Sequence, residues 1–219
     1  YPEIMVSSIP DNGCGCFTAA GCAVALELAK GKQAVVAGPA IGVSIETAIM
    51  INGFLERVDA PVVVDADALN VLELRWFSRR AMASVLTPHP KEMARLLQID
   101  VAQVQADRIA AARLLARRAE AVAVLKGHNT VIATPDGFTA INPTGNPGMA
   151  GAGMGDALSG IIAGLMAQGL RSLDAAMAGV YLHGLAGDLA TGELGGASVL
   201  ATDVIARLGR AMEEVRSAS

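Results

Sequence analysis

A glycine-dense segment, residues 142–156, runs directly into an apolar stretch of helical composition and ends on a single carboxylate, Asp156. It reads NPTGNPGMAGAGMGD. Glycines allow backbone N–H groups to converge on an anion without side chains in the way. The start of a helix adds free N–H groups and the positive end of the helix dipole. The segment therefore predicts a phosphate-binding site, with Asp156 beside it as a carboxylate that can take up a proton.

The segment departs from the two best-known glycine-rich phosphate motifs. It is not a P-loop, because no Gly-Lys-Ser/Thr follows the glycines. It is a poor dinucleotide fingerprint, because Gly151, Gly153 and Gly155 alternate. Asp156 could simply cap a helix, but a cap does not need so many glycines before it. Phosphoryl transfer requires alignment, neutralised oxygens and often a carboxylate base, which this pattern supplies.

Further polar residues and glycines follow the predicted strands elsewhere in the chain. They are the turn at 38–42, Asp65, His89 and Lys126. Parallel strands joined by right-handed crossovers place the loops after the strands at one edge of the sheet. We therefore expect these residues to converge on one rim, although they are far apart in sequence.

His89 stands between two prolines in the segment TPHPKE, residues 87–92. Because proline restricts its own backbone and that of the preceding residue, this histidine is held rigidly, as a ligand contact would be. The alternative is a surface histidine in a rigid turn. Glu92 follows near a helix start, where it could favour the helix dipole or help to position a metal–phosphate group.

Lys126 ends an apolar run and precedes glycine, which favours a phosphate or nucleotide contact over an ordinary solvated lysine. The turn at 38–42, GPAIG, offers backbone donors to a ligand or is only a tight turn. Asp65 and Asp67 follow another apolar run. We expect one of them to cap a helix, which leaves the other to face a ligand.

The elements that must position these residues alternate between strand and helix. Apolar runs predict strands at 33–37, 61–65, 84–87 and 121–125, followed by a hairpin of 130–133 and 138–141. Helices are predicted at about 47–55 (capped by Ser44), 91–97, 100–119, 156–168, 173–191 and 202–216. This order predicts one α/β domain, residues 1–219, with a mostly parallel sheet and an antiparallel segment towards one side.

Composition narrows the class of protein. Of 219 residues, 53% are hydrophobic and 17% charged, which indicates a folded, core-rich domain. The net charge of −4, without a basic cluster, argues against nucleic acid as a partner. No apolar stretch is long enough to span a bilayer, and no signal peptide is visible, so we expect a cytoplasmic protein. Cys14, Cys16 and Cys22 are expected to be free thiols rather than metal ligands.

Taken in order, these segments resemble the NAD(P)H-hydrate dehydratases, the carboxy-terminal domain of YjeF-type repair proteins, within the ribokinase-like superfamily. The matching segments are GPAIG (38–42), VDADALN (64–70), LTPHPKE (86–92), LKGHNT (125–130) and 145–156. The resemblance implies a ribokinase-like three-layer α/β/α fold. It also implies an enzyme that returns the S hydrates NADHX and NADPHX to NADH and NADPH, with ADP or ATP as phosphoryl donor and Mg²⁺. The nucleotide would phosphorylate the hydrate hydroxyl, and loss of phosphate would restore the ring double bond.

By position, the resemblance implies that Asp156 is the general base and a substrate contact. Gly42, His89 and Asn146 would also contact the hydrate, and Glu92 would lie near magnesium and phosphate. The nucleotide contacts would be Lys126, Gly127, His128, Asn129, Thr130, Gly153 and Gly155.

Two departures from the family pattern stand out. Ala40 replaces a glycine common in the first segment. The family also has a strand and a glycine-rich turn ahead of the part that matches residues 1–5, so the domain is expected to be N-terminally incomplete. Family members are commonly homo-oligomers and are often fused to, or paired with, an epimerase domain. Two alternatives remain open: a related kinase of a vitamin precursor (a hydroxymethylpyrimidine or hydroxyethylthiazole) and a non-catalytic nucleotide-binding module.

Overall fold

The computed structural model describes residues 4–11, 13, 15–80 and 82–217, and its centre is a six-stranded sheet. The strands lie in chain order across the sheet: β1 Val35–Ala37, β2 Val62–Val64, β3 Ser84–Leu86, β4 Val122–Leu125, β5 Val131–Ala133 and β6 Thr139–Ile141. β1 to β4 are parallel, whereas β5 and β6 are antiparallel to their neighbours. The predicted strands and hairpin are confirmed.

Helices cover both faces of the sheet. They are α1 Gly21–Ala29, α2 Ile45–Arg57, α3 Ala66–Val71, α4 Leu74–Phe77, α5 Pro90–Leu97, α6 Val101–Ala106, α7 Arg108–Ala119, α8 Met154–Ala167, α9 Ser172–Leu194 and α10 Ala201–Ser217. A 3₁₀ turn, Pro147–Met149, precedes α8. Ser44 caps α2 as predicted, because its hydroxyl accepts the N–H of Thr47 at 3.0 Å.

Alternate strand residues enter two separate cores. Val62 and Val64 of β2 pack with helices of the α1–α7 half of the chain, while Val63 between them packs with α8 and α9. Because both faces of these strands are buried, their sequences are continuously apolar rather than alternating. The result is the expected three-layer α/β/α arrangement. No helix of the described ranges is long and apolar enough to cross a membrane.

The structure differs from the predicted helices in two ways. The single helix expected over 100–119 is divided at Asp107, whose backbone leaves the helical region at φ −145° and ψ 85°. Its carboxylate accepts the N–H of Ala110 at 2.8 Å and so begins a new helix, α7. The structure also contains α1 and the short α4, which the sequence patterns do not predict, and the short α3, of which they predict only a start at Asp65 or Asp67.

Two of the three cysteines lie among the residues that the structure describes. Cys22 is buried in the core and Cys16 is half-buried, and both are free. Cys14 lies outside the described residues. Among the residues that the structure describes, no group of three or more His, Cys, Asp or Glu side chains is placed to hold a metal ion.

His183 of α9 is an ionisable group within the core. The residue is 9% exposed, and its Nε2 atom is buried without a hydrogen-bond partner among the described residues. Burial lowers the pKa of His183 to about 4, against the opposing effect of a hydrogen bond to the backbone of Met154. The imidazole is therefore neutral in the folded protein at pH 7.

Acidification should destabilise the fold through His183. Below its ordinary pKa of about 6.5, the histidine gains a proton in the unfolded chain but stays neutral in the folded one until about pH 4. Stability is therefore lost as pH falls, by about 2 kcal/mol between pH 7 and pH 5 from this group. Urea unfolding of the wild type and His183→Gln at both pH values measures this contribution. We expect the stability advantage of the wild type to shrink by that amount, whereas the exposed control His128→Gln should follow the wild type. Equal pH dependence in the wild type and His183→Gln would contradict the prediction.

Candidate functional site

A buried ion pair lies at the carboxyl edge of the parallel strands. Lys126 follows β4, and its Nζ lies 2.5 Å from Oδ1 of Asp65, which follows β2. The side chain of Asp65 is 1% exposed and that of Lys126 is 17% exposed. Ser159 of α8 donates to Oδ2 of the same carboxylate at 2.6 Å. The pair thus joins two strands and a helix at one point.

Asp65 is ionised in this setting. Burial raises the pKa of its carboxyl, but the charge and hydrogen bond of Lys126 and the hydroxyl of Ser159 outweigh that effect and hold the pKa below its usual value. Asp65 occupies the N-cap position of α3, yet its side chain makes no capping hydrogen bond. The carboxylate of Asp67 instead accepts the N–H of Gly42 at 3.0 Å. The expectation that one of these two carboxylates caps the helix is therefore wrong, because that of Asp65 balances a buried cation and that of Asp67 accepts a hydrogen bond from Gly42.

The first turn of α8 lies against this ion pair. Gly153 precedes the helix in the left-handed region, at φ +79°. A Cβ on Gly155 would lie 3.1 Å from Nζ of Lys126, so the absence of a side chain there allows the close approach. The next residue, Asp156, is exposed in the first turn of the helix. Free N–H groups of the helix, the ammonium of Lys126 and a carboxylate are thus brought together.

His89 and Glu92 form a reciprocal cap at the start of α5. Nδ1 of His89 accepts the N–H groups of Lys91 and Glu92, and Oε2 of Glu92 accepts the N–H of His89 at 2.7 Å. Oε1 of Glu92 lies 3.2 Å from Nε2 of His89. Burial raises the pKa of Glu92, opposed by its bond from His89 and by the charge of Lys126, whose Nζ is 4.0 Å away. Glu92 thus connects the histidine to the Lys126 side of the rim.

These groups border a cavity of about 500 Å³. It brings together the following predicted site residues: His89, Glu92, Lys126, Gly127, Thr130, Gly155 and Asp156. The other predicted site residues lie outside its lining: Gly42, His128, Asn129, Asn146 and Gly153. Gly153 and Asp156 also border a groove between α8 and α10. The ligand contacts expected of all these residues stay predictions.

Several residues that line the cavity or contact its lining could not be assigned from the sequence. Asp65 is only a cap or ligand candidate there, although its position directly after a buried strand matches that of Lys126. Ser159 is a polar residue within a mostly apolar helix. Nothing in the sequence around it indicates that it contacts Asp65. His183 and Gly184 of α9 line the cavity from a distant part of the chain, and no local pattern points to them.

The arrangement can bind an anion and move a proton beside it. The helix N-terminus and Lys126 attract phosphate oxygens. Asp156 stands at the same end of the helix, where it can accept a proton from a hydroxyl that attacks the phosphate. The cavity is large enough for a small organic substrate.

Comparison with known proteins agrees with the resemblance seen in the sequence. The family model for NAD(P)H-hydrate dehydratase matches residues 1–210. The chain is 46% identical over 183 residues to an ADP-dependent (S)-NAD(P)H-hydrate dehydratase from Neisseria meningitidis, covering 81% of this chain and 62% of that protein. It is 46% identical over 205 residues to a bifunctional NAD(P)H-hydrate repair enzyme from Moorella thermoacetica, covering 93% and 39%. The chain thus spans less than two thirds of the length of these curated relatives.

Solved structures show the same fold. A Bacillus subtilis ADP/ATP-dependent NAD(P)H-hydrate dehydratase, co-crystallised with ATP and Mg²⁺, matches with a TM-score of 0.78 and 32% identity, covering 89% of this chain and 70% of that one. A ribokinase-like superfamily protein from Enterococcus faecalis matches with a TM-score of 0.70 and 27% identity, covering 90% and 68%. These matches confirm the predicted ribokinase-like fold. The chain belongs to the NAD(P)H-hydrate dehydratase family.

Proposed function

We propose that this domain returns the S hydrates of NADH and NADPH to the intact cofactors, with ADP or ATP as the phosphoryl donor. The observation that carries the proposal is the position of Asp156 in the first turn of α8, at the border of the cavity and directly after Gly155, which lies against Lys126. Family membership supports it. The Neisseria relative is named for ADP and the S hydrate, and the Bacillus structure was crystallised with ATP and Mg²⁺.

In this proposal, each group of the rim has one task. Lys126 and the free N–H groups at the start of α8 hold and neutralise the oxygens of the transferred phosphoryl group. Asp156 accepts the proton of the hydrate hydroxyl as its oxygen attacks phosphorus and the bond to the nucleotide breaks. Phosphate then leaves the ring carbon while the neighbouring carbon loses a proton, which restores the double bond. Phosphate is a far better leaving group than hydroxide, and this explains why the nucleotide is consumed.

Mg²⁺ fits this site only as a companion of the nucleotide. Both oxygens of Glu92 face His89, and both oxygens of Asp65 are engaged by Lys126 and Ser159. In nucleotide sites this ion is held largely by phosphate oxygens and water, with one or two carboxylates. When bound, it would supply further neutralisation of phosphate charge. Glu92, which borders the cavity, is the proposed indirect contact.

A partner activity follows from the chemistry of the substrate. A dehydratase that accepts the S hydrate leaves the R hydrate untouched, so complete repair requires an epimerase. We propose that such an activity is carried on the same protein or on a separate one. The bifunctional character of the Moorella relative supports this.

The proposal is tested by incubating the S hydrate of NADH with the protein, Mg²⁺ and either ADP or ATP. We expect the absorbance of reduced nicotinamide to return, together with an equal amount of inorganic phosphate. No recovery with either nucleotide would overturn the proposal. Consumption of nucleotide with a hydroxymethylpyrimidine or a hydroxyethylthiazole, but not with the hydrate, would show that the protein is a vitamin-precursor kinase instead.

Replacing the proposed base should greatly reduce turnover while nucleotide binding is retained. For Asp156→Asn we expect kcat/KM for the hydrate to fall by about a hundredfold or more, because the hydroxyl proton then has no acceptor. The dissociation constant for ADP, measured by calorimetry, should change by no more than about threefold, since the phosphate donors are intact. Asp174→Asn is a matched control, because Asp174 also lies in the first turn of a long helix, where it pairs with Arg171 at the surface. Near wild-type turnover of Asp156→Asn would show that Asp156 is not the base.

A further inference from the structure

The segment between β6 and α8 forms one wall of the cavity with little regular structure of its own. Thr144, Gly145, Met149 and Ala150 line the cavity from this segment, which we call the wall loop (residues 142–150). Its secondary structure is a single 3₁₀ turn, Pro147–Met149. A wall of this kind keeps its shape only through contacts with a rigid element, because three residues of 3₁₀ helix supply few hydrogen bonds.

Asp188 of α9 supplies such contacts. One oxygen of its carboxylate accepts the backbone N–H of Gly145 at 2.9 Å, and the other accepts the side-chain amide of Asn146 at 2.7 Å. The amide oxygen of Asn146 in turn accepts the N–H of Gly148 and the hydroxyl of Thr191, both at 2.9 Å. Because an ionised acceptor makes shorter and stronger hydrogen bonds, a single carboxylate orients both the backbone and the side chain of the loop.

The surface of α9 beneath the loop is shaped for close contact. A Cβ on Gly184 would lie 2.2 Å from Oγ1 of Thr144, and one on Gly187 would lie 2.2 Å from Sδ of Met149. The wall loop therefore rests directly on the helix backbone. Gly184, Gly187, Asp188 and Thr191 are spaced as neighbours on one face of a helix, so the glycines and the polar anchors serve the same segment.

We propose that Asp188 is a positioning residue for the reaction: it holds the wall loop in the shape that receives the hydrate. This inference rests on the proposed function. Asp188 does not line the cavity itself and acts through Gly145 and Asn146. Its loss should therefore weaken use of the hydrate more than binding of the nucleotide phosphates, which are assigned to Lys126 and the start of α8.

Asp188→Asn tests this role, because it keeps the size of the side chain but removes its charge and turns one acceptor into a donor. We expect kcat/KM for the hydrate to fall by about tenfold or more, because a displaced wall loop would misalign the reacting hydroxyl of the hydrate. The dissociation constant for ADP and the melting temperature should stay close to those of the wild type. Asp174→Asn, on the same helix but at its surface, should match the wild type in every measurement. Unchanged kcat/KM in Asp188→Asn would overturn the proposal.

A second variant and a second measurement separate this inference from the proposed function. Thr191→Val removes one hydrogen bond to Asn146 and should lower kcat/KM for the hydrate about threefold in the same direction, even if Asp188→Asn fails to fold. Amide hydrogen exchange at Gly145 and Gly148 requires no substrate and should accelerate in both variants. Unchanged exchange would overturn the anchoring role, whereas faster exchange in a protein without dehydratase activity would mean that only the proposed function fails.

Discussion

The ion pair between Asp65 and Lys126 is the constraint on which the site depends. Removing one partner of a buried pair leaves an uncompensated charge and typically costs about 3–5 kcal/mol. Here the pair joins the ends of β2 and β4, and the hydroxyl of Ser159 attaches α8 to the same carboxylate. The position of the start of α8 is therefore set by the ion pair, in which the charges of Asp65 and Lys126 must balance each other.

This constraint explains several residue choices around the cavity. Gly155 has no side chain because the ammonium of Lys126 lies where that side chain would point. Asp65 pairs with Lys126 in the interior, whereas Asp156, the residue after Gly155, is exposed. One carboxylate thus fixes the ammonium of Lys126, and a second lies exposed at the start of α8. The wall loop is positioned separately, by its contacts with α9.

Much of the fold could be predicted from the sequence, because short strands that are buried on both faces consist of continuous runs of apolar residues. Val62, Val63 and Val64 are all apolar since each faces one of two cores. The division at Asp107 could not be predicted, because the surrounding residues favour one uninterrupted helix and only the local backbone shows that its carboxylate caps a new one. Site residues could be predicted where a polar side chain directly follows a strand. They could not be predicted where the position of a residue depends on contacts with distant parts of the chain. The sequence does not distinguish an aspartate that pairs with a buried lysine, as Asp65 does, from one that caps a helix. That Asp188 contacts Gly145 and Asn146 is known only from the folded structure.

The most direct test of whether Lys126 is the phosphate-binding cation held by Asp65 is a double-mutant cycle at the ion pair. The affinity of each protein in the cycle for ADP is measured by calorimetric titration. The cycle consists of the wild type, Asp65→Asn, Lys126→Met and the double variant. We predict that the two proteins with Lys126→Met bind ADP about tenfold or more weakly, even where the double variant regains stability by removing both charges. Asp65→Asn keeps the ammonium of Lys126 but loses the carboxylate charge that holds it, so it should bind ADP more weakly than the wild type and more tightly than Lys126→Met. An ADP affinity that is unchanged by Lys126→Met would contradict the assignment of the nucleotide to this rim.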